Sequence, residues 1–397
     1  MQPRVTLRIS VTFVLVALIL PCIVLAQANV PANAKPVDRS SIQLRFHRID
    51  KLQPNVKAAL MSGAPSQAGA QGAVTTVPHW MGSFTYNGTI YPYTMVGGAP
   101  TRGGTTRIKT QLIPVNFVLD GCLDVNGNPV AFAANDVIAN TLNSPNFEVA
   151  NYETGETQYG DAFQRAEFHS VARDDWHTLI QSPKFLTPVT IEVPPESSAC
   201  LYIPPNGTPF GDVNINFFAS QLETMLQIEA VDTTALPIVL SKDVFLYFPP
   251  NPLNCCVLGF HGNGAPLFVV GNVAQTFAWA SWVTASDGFG PGWADVLPLS
   301  HEIGEWMNDP FITNIVPPWL FPGVTPPSCG GNLLEVGDPV EVAADPSFPV
   351  TVDNYTYHPQ TLATLQWFSR QTPSSAIDHA YSFPGENQLT SPSQPCP

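Results

Sequence analysis

Apolar residues in this chain follow two spacings, one typical of strands and one typical of helices. From 108 to 119 they alternate with polar residues and then run together, which predicts a buried strand. Around Asn87-Gly88, β-forming residues flank a dipeptide that accepts the positive φ angles of a tight turn, so residues 84–91 predict a hairpin. Further strands are predicted at 185–193, 238–248 and 267–270.

Helical spacing, with apolar residues three or four positions apart, recurs in several segments. Residues 54–61, 136–142, 160–170 and 212–230 are predicted helices. Another helix is predicted to start near Asp295, which is an accepted N-cap residue, and to end at Pro310. Its buried face is predicted to consist of Val296, Leu299, Ile303 and Met307. We therefore expect an α+β fold, a twisted mixed β-sheet packed against helices, with proline-rich loops such as 311–331.

The N-terminus has the pattern of an exported protein. Arg4 and Arg8 precede an apolar run at 11–20, and small residues offer cleavage sites after Ala26 or Ala28, so residues 1–26 are predicted to be a signal peptide. Residues 27–78 are predicted to be a flexible leader or linker, because 62–72 are small, polar and without periodicity. Residues 79–397 are then expected to form a single large α+β domain, with a metal-site motif at 295–340.

Composition narrows the function classes. The chain has a formal net charge of −15 and no cluster of Lys or Arg, which argues against a nucleic-acid partner. No apolar run beyond the signal is long enough to anchor the mature protein in a membrane, so we expect a secreted protein, extracellular or periplasmic. Cysteines in such a compartment favour disulfides over a thiolate zinc site. Because Cys255 and Cys256 are adjacent, we expect them to pair with separate partners.

The strongest chemical signal is His301-Glu302-Ile303-Gly304-Glu305. On a helix, His301 and Glu305 lie on one face, since four positions make about one turn. Two metal ligands one turn apart, with a carboxylate beside them, are the layout of a zinc hydrolase helix, in which Glu302 would be the general base. The usual motif has histidine at the second ligand position, where this chain has Glu305.

A third ligand is expected from residues 332–339, which follow a loop long enough to fold back over the helix. Glu335 is the first choice and Asp338 the second. Asp309 is expected either to support the site from behind the ligands or to cap the helix end, and His261 is either a further ligand or an ordinary turn histidine. Zinc is the expected metal, although one histidine and two carboxylates also suit calcium or manganese.

These residues resemble those of a group of exported bacterial zincin-like metallopeptidase candidates, in which a His-Glu-x-x-Glu helix ends in Asp-Pro and a Glu-x-x-Asp segment follows. The matching positions here are His301 to Glu305, Asp309-Pro310, and Glu335 to Asp338. The segment 255–262 resembles more loosely the Gly-x-His segment of plant Exordium-type (phosphate-induced) proteins. The resemblance covers residues 240–345 and implies a zincin-like fold with an active-site helix, and peptidase activity.

The sequence therefore leaves two functions open. The first is an exported metal-dependent hydrolase, zinc peptidase-like, that acts on a peptide or protein substrate. The second is an exported cell-surface or binding protein in which the same acidic residues hold a structural cation or none. Under the first, His301, Glu305 and Glu335 should converge beside an open groove; under the second, the acidic residues should be splayed or sealed from solvent.

Overall fold

The computed structural model describes residues 31–63, 73–205, 207–228, 231–264, 272–285 and 288–397. The predicted signal peptide, residues 27–30 and 64–72 of the predicted leader or linker, and the predicted strand at 267–270 lie outside these residues. In chain order, the strands are β1 Lys35–Pro36, β2 Arg45–Asp50, β3 His79–Tyr86, β4 Thr89–Val96, β5 Thr105–Leu123, β6 Pro129–Phe132, β7 Ala150–Tyr152, β8 Gly155–Thr157, β9 His177–Ile180, β10 Lys184–Phe185, β11 Val189–Val193, β12 Ser198–Tyr202, β13 Phe210–Asn214, β14 Ala235–Lys242, β15 Val244–Tyr247, β16 Cys255–Gly264, β17 Gln275–Trp282, β18 Ile315–Leu320, β19 Cys329–Leu333, β20 Val350–Val352, β21 Tyr355–Tyr357, β22 Leu362–Ala363 and β23 Ser382–Phe383.

The α-helices are fewer than the strands among the described residues. They are α1 Pro54–Met61, α2 Ile138–Leu142, α3 Tyr159–Glu167, α4 Ile215–Ile228, α5 Leu297–Asn308, α6 Asp338–Glu341 and α7 Leu365–Phe368. The predicted α+β class is therefore wrong. Strand accounts for 38% of the structure and helix for 19%, and the strands form a large curled mixed half-barrel sheet rather than a zincin-like arrangement.

One long strand explains why local periodicity failed to give the fold class. The 19-residue β5 pairs along one edge with β9, β10 and β11 in succession, and along the other with β14 and β6. Beyond β14 the sheet continues through β17, β16, β15, β13, β12 and β1. Pairings between segments so distant in sequence leave no mark on the local spacing of apolar residues, on which the prediction depended.

The predicted hairpin and the predicted helix at 54–61 are confirmed. Strands β3 and β4 pair antiparallel around Asn87 and Gly88, whose φ angles are 48° and 78°. Strands β1 and β2 lie within the span predicted to be a flexible leader, yet they pair with β12 and β16 of the main sheet. The residues of these two strands are therefore part of the folded domain rather than of a free leader.

Helix α5 is buried over its whole length, because elements cover it on both sides. On the sheet side it packs against β16 and β17, and Trp306 Nε1 donates a hydrogen bond to Thr276 Oγ1 at 2.9 Å. On the other side, Gly304 lies against Leu362, and Met307 lies against Gly160 of α3. The helix begins two residues later than predicted, and Asp295 accepts a hydrogen bond from the Val296 backbone instead of capping in the usual way.

The six cysteines outside the predicted signal form three disulfides. They are Cys122–Cys200, Cys255–Cys256 and Cys329–Cys396. The expectation that Cys255 and Cys256 have separate partners is wrong, because the other four cysteines pair among themselves. Disulfides are compatible with a secreted or periplasmic protein. Within the described part of the chain, no helix is both long and apolar enough to cross a bilayer.

Candidate metal centre

Three elements bring acidic and histidine side chains together beneath the sheet. Helix α5 supplies His301, Glu302 and Glu305, all of which are 0 to 1% exposed. Strand β16 supplies His261, which is fully buried beside the helix. The turn between β19 and α6, together with α6 itself, supplies the remaining acidic groups, which are Glu335, Asp338 and Glu341.

The imidazole of His301 is held in one orientation by Gln360. The side-chain amide of Gln360 donates from Nε2 to the Gly337 carbonyl at 2.8 Å, so its Oε1 faces His301 Nδ1 at 2.7 Å. His301 Nδ1 therefore carries a hydrogen, and in the neutral ring Nε2 keeps its lone pair. That Nε2 atom lies 3.1 Å from Glu305 Oε1 and 3.8 Å from Asp338 Oδ1. A carboxylate oxygen opposite a lone pair is repulsive unless a proton or a cation lies between them.

His261 is arranged in a similar way. Its Nδ1 lies 3.2 Å from Glu302 Oε2 and 3.4 Å from Glu305 Oε2, so Nδ1 donates toward a carboxylate. In the neutral ring its Nε2 then keeps the lone pair, and this atom lies 3.9 Å from Glu335 Oε2. A histidine that donates one ring N–H to a carboxylate and presents the other nitrogen to an ion is the usual arrangement at protein metal sites.

Both Nε2 atoms are buried and have no hydrogen-bond partner among the described residues. One donor atom from each of His301, Glu305 and Asp338 lies within 4.8 Å of the other two, and the same holds for His261, Glu305 and Glu335. Two ligands that bind one ion at about 2.0–2.2 Å lie roughly 3 Å apart at right angles and about 4 Å apart when opposite each other. The observed separations of 3.1 to 3.9 Å fall within this range.

Burial shifts the pKa values of these groups strongly. It raises the pKa of Glu302 to about 7 and that of Glu341 to about 8. Burial and the nearby charge of Glu305 raise the pKa values of Glu335 and Asp338 well above their ordinary range. Burial acts in the same direction on Glu305, but the neighbouring imidazoles of His301 and His261 outweigh it and lower the pKa of Glu305. The cluster therefore requires positive charge, whether as protons or as a bound cation.

Strand β2 covers the cluster from the N-terminal part of the chain. Phe46 stacks on the His301 ring, with centroids 3.4 Å apart and planes inclined by 17°. Arg48 Nε lies 3.3 Å from Glu335 Oε1. The Arg48 side chain is 36% exposed and the Asp338 side chain is 15% exposed. The side chains of the other donors, which are His261, His301, Glu305 and Glu335, are at most 3% exposed. Solvent therefore approaches the cluster from the side of Arg48 and Asp338.

Two glycines make room for the buried polar side chains. A Cβ on Gly337 would lie 2.3 Å from His301 Nδ1, and a Cβ on Gly259 would lie 2.7 Å from Glu302 Oε1. Contacts this short are not tolerated between heavy atoms that are not bonded. The helix can therefore carry His301 and Glu302 against β16 and the α6 turn only because these two positions lack a side chain.

The structure brings together His301, Glu302, Glu305, Glu335 and Asp338, all of which the sequence predicted as site residues. Asp309 caps the helix end, which is the second of the two roles predicted for it. It lies at the C-terminal end of α5, and its carboxylate accepts hydrogen bonds from the backbone N–H groups that follow the helix, at 2.8 Å for the closest.

Sequence reasoning left His261 as either a further ligand or a turn histidine, and it missed Gln360, Arg48 and Glu341. His261 lies in the middle of β16 and not in a turn. Its sequence signal was a histidine within an otherwise apolar and glycine-containing strand pattern, Val257 to Gly262. Gln360 and Arg48 carry no such signal, because each reaches the cluster only through long-range packing.

The fold and the site define the class: a predominantly β, disulfide-bonded protein with a buried cluster of two histidines and several carboxylic acids. Comparisons of the chain with protein-family models, with curated proteins and with solved structures found no match.

Proposed function

We propose that the protein is an exported metal-dependent hydrolase. In this proposal, residues 1–26 are its signal peptide and the cluster around α5 binds the metal. The observation that carries the proposal is the pair of buried histidine Nε2 atoms, each without a hydrogen-bond partner among the described residues and each facing carboxylate oxygens. The proposed ligands are His261, His301, Glu305, Glu335 and Asp338.

The donor set suits a divalent cation. Imidazole nitrogen together with carboxylate oxygen favours zinc, and the high share of carboxylates also suits manganese or calcium. Such a cation supplies hydrolytic chemistry by lowering the pKa of water to about 7 and by polarising a carbonyl group. The protein supplies ligands that Gln360 and Glu302 already orient through the other ring nitrogen of each histidine.

Glu302 is the proposed general base. Its Oε2 holds His261, while its Oε1 has no hydrogen-bond partner among the described residues. Its pKa, raised by burial to about 7, lies close to neutral pH. A base titrating near the working pH combines a large ionised fraction with a useful affinity for the proton.

We propose a peptide or protein as the substrate. It would approach from the more exposed side of the cluster, where Arg48 and Asp338 lie. The Arg48 guanidinium could stabilise the negative charge that develops on a carbonyl oxygen during hydrolysis, because it presents several N–H donors at the border between the cluster and solvent.

A structural cation is the second candidate function, and burial favours it. The side chains of His261, His301, Glu305 and Glu335 are at most 3% exposed, which matches a sealed site better than an open catalytic groove. In this case the ion would stabilise an exported binding or cell-surface protein and would not act on a substrate.

The first experiment measures metal content and peptide hydrolysis for three purified proteins: the wild type, Glu302→Gln and the control Glu192→Gln. Glu192 is an exposed residue of β11, so its substitution makes the same chemical change at the surface. Under the hydrolase proposal, Glu302→Gln loses about 100- to 10,000-fold in kcat, because the base is removed, and it keeps its metal at saturating concentration, because the glutamine oxygen can still accept a hydrogen bond from His261 Nδ1. Retained turnover in that variant would refute the role of Glu302.

The same proteins distinguish the second candidate. A bound metal without hydrolysis of any peptide in a broad library, combined with a fall in unfolding temperature after treatment with a chelator, would establish the structural cation. Absence of metal, even after incubation with zinc or manganese, would contradict both candidates.

A further inference from the structure

A separate cavity of about 390 Å³ opens at the C-terminal end of α3. Its walls are the hairpin of β3 and β4, the end of α3, and α7 with the loop that follows it; we call it the α3–α7 cavity. Asn87 and Gln371, which line it, are exposed, so solvent reaches it. None of the residues that line it belongs to the metal cluster. Its volume suits a small molecule, because such sites usually measure about 300–1,000 Å³.

Two buried side chains at this cavity carry oxygen atoms without a hydrogen-bond partner among the described residues. Glu167, the last residue of α3, is 0% exposed; its Oε1 accepts a hydrogen bond from the Leu365 backbone, and its Oε2 has no partner. Gln366 is 5% exposed and donates from Nε2 to the Glu167 carbonyl at 2.8 Å, while its Oε1 has no partner. These are the most buried residues that line the cavity. Because an unsatisfied buried oxygen is unfavourable, a ligand that brings N–H donors to this end gains by pairing with both.

Aromatic rings form much of the remaining wall. Tyr93 and Phe168 line the cavity with their ring centroids 6.3 Å apart, and Phe84 and Tyr86 line it as well. The face of an aromatic ring is negative, so it attracts a cation, and its area also packs against an apolar group. The wall therefore suits an organic cation that carries an apolar part.

The charged residues among those lining the cavity are Glu167 and Arg370. Arg370 donates from Nε to the Ser393 carbonyl at 3.0 Å and from Nη2 to the Pro318 carbonyl, so these N–H groups are directed at the backbone and not at Glu167. Burial raises the pKa of Glu167 to about 8, so its carboxyl holds a proton in the empty cavity at pH 7. Burial and the charge of Glu167 also raise the pKa of Tyr93 above its ordinary value, so Tyr93 stays neutral.

We propose that the α3–α7 cavity binds a small organic ammonium group, which donates hydrogen bonds to Glu167 Oε2 and Gln366 Oε1 and packs its apolar part on Tyr93 and Phe168. An ammonium group matches the site because it has up to three N–H donors, no acceptor and a positive charge. It replaces the proton that Glu167 carries in the empty cavity and leaves an ionised carboxylate beside the cation. A free amine and a lysine side chain both offer this group. The inference does not depend on the metal cluster.

The test measures binding by isothermal titration calorimetry at pH 7 with benzylamine, with its neutral analogue benzyl alcohol, and with the peptide acetyl-Gly-Lys-Gly-amide. The proteins are the wild type, Glu167→Gln and the control Glu192→Gln, which makes the same change at an exposed position of β11. We expect benzylamine to bind the wild type and the control equally, and to bind Glu167→Gln about 10- to 100-fold more weakly, because the hydrogen bond to a charged group is lost. Tighter binding of the peptide than of benzylamine would support a lysine side chain as the ligand, and the reverse order a free amine.

A count of released protons keeps the inference testable if Glu167→Gln does not fold. Titrations in two buffers of different ionisation enthalpy give this count for the wild type. We expect about one proton released per benzylamine bound at pH 7, because the ammonium group displaces the proton of Glu167. Binding of benzylamine without proton release, or binding of benzyl alcohol as tight as that of benzylamine, would overturn the inference. Absence of binding of both amine probes at millimolar concentration would overturn it as well.

Discussion

The hydrogen bond from His301 to Gln360 offers a sharp test of how the histidine is oriented. In Gln360→Ala, His301 Nδ1 and the Gly337 carbonyl both lose their partner, at 2.7 and 2.8 Å respectively in the native protein. A buried polar group left without a partner costs about 1–3 kcal/mol, so the free energy of unfolding without metal should fall by about 2–6 kcal/mol. Losing the group that orients a metal-binding histidine typically weakens metal affinity about 10- to 100-fold.

Two measurements separate these effects. Urea denaturation in the presence of a chelator gives the loss of stability, and competition with a fluorescent zinc chelator gives the metal affinity at a temperature where the variant is folded. The matched control is Gln366→Ala, which also removes a buried amide, one that donates to the Glu167 carbonyl at 2.8 Å away from the cluster. We expect the control to lose stability and keep wild-type metal affinity. Metal affinity of Gln360→Ala within twofold of the control would refute ligation through His301 Nε2.

Three further predictions follow from other parts of the structure. Gly259→Ala places a Cβ 2.7 Å from a carboxylate oxygen of α5 and should lower the free energy of unfolding by about 1–3 kcal/mol, measured in urea. Glu167, whose pKa burial raises to about 8, should stabilise the protein fully below pH 4.5 and lose this contribution as the pH rises through 8, because the folded state favours the protonated carboxyl. Glu167→Gln should remove that decline. Above pH 8, its free energy of unfolding, measured in urea, should exceed that of the wild type by on the order of 4 kcal/mol. Replacing Cys122 and Cys200 by serine removes a disulfide that joins residues with a sequence separation of 78. The free energy of unfolding should fall by about 4 kcal/mol.

Each of these predictions has a comparison that can contradict it. Gly264→Ala lies on the same strand as Gly259 with no atom within 4 Å of the added Cβ, so equal losses in the two variants would refute the steric argument. The control is Glu192→Gln at an exposed position of β11. A pH profile of stability in Glu167→Gln that does not differ from the wild-type profile would show that Glu167 is not its source. If the double serine variant is as stable as the wild type, the disulfide Cys122–Cys200 does not stabilise the protein.

The parts of the fold that sequence could predict are those that depend on neighbouring residues. Asn87-Gly88 specifies its hairpin through local φ angles, and Pro310 together with the apolar spacing indicated α5 to within two residues at its start. The helix predicted at 212–230 was correct for 215–228, but its first residues are a strand because they pair with β15. Such a pairing is decided by a distant segment, and local spacing cannot report it.

The same division holds for the candidate site. The residues on α5 were predictable, because ligands one helical turn apart leave a signature in the sequence. Glu335 and Asp338 were predictable as acidic residues after a loop that returns to the helix. His261 was not, since a strand residue reaches the cluster through the register between β16 and its neighbours, and neither was Gln360, which acts from the far end of the chain.

The contacts around His301 have a consequence for the order in which this protein matures. Phe46, which stacks on the ring, and Gln360, which orients it, are separated by most of the polypeptide. The His-Glu-x-x-Glu segment alone therefore cannot assemble the cluster, and a chain still being synthesised lacks the group that presents the Nε2 lone pair. Bringing such distant segments together costs loop-closure entropy before any contact is gained, which slows folding. If the chain is exported unfolded, the ion must come from the compartment where folding finishes, so the metal supply there, and not that of the cytoplasm, would determine which cation the protein carries.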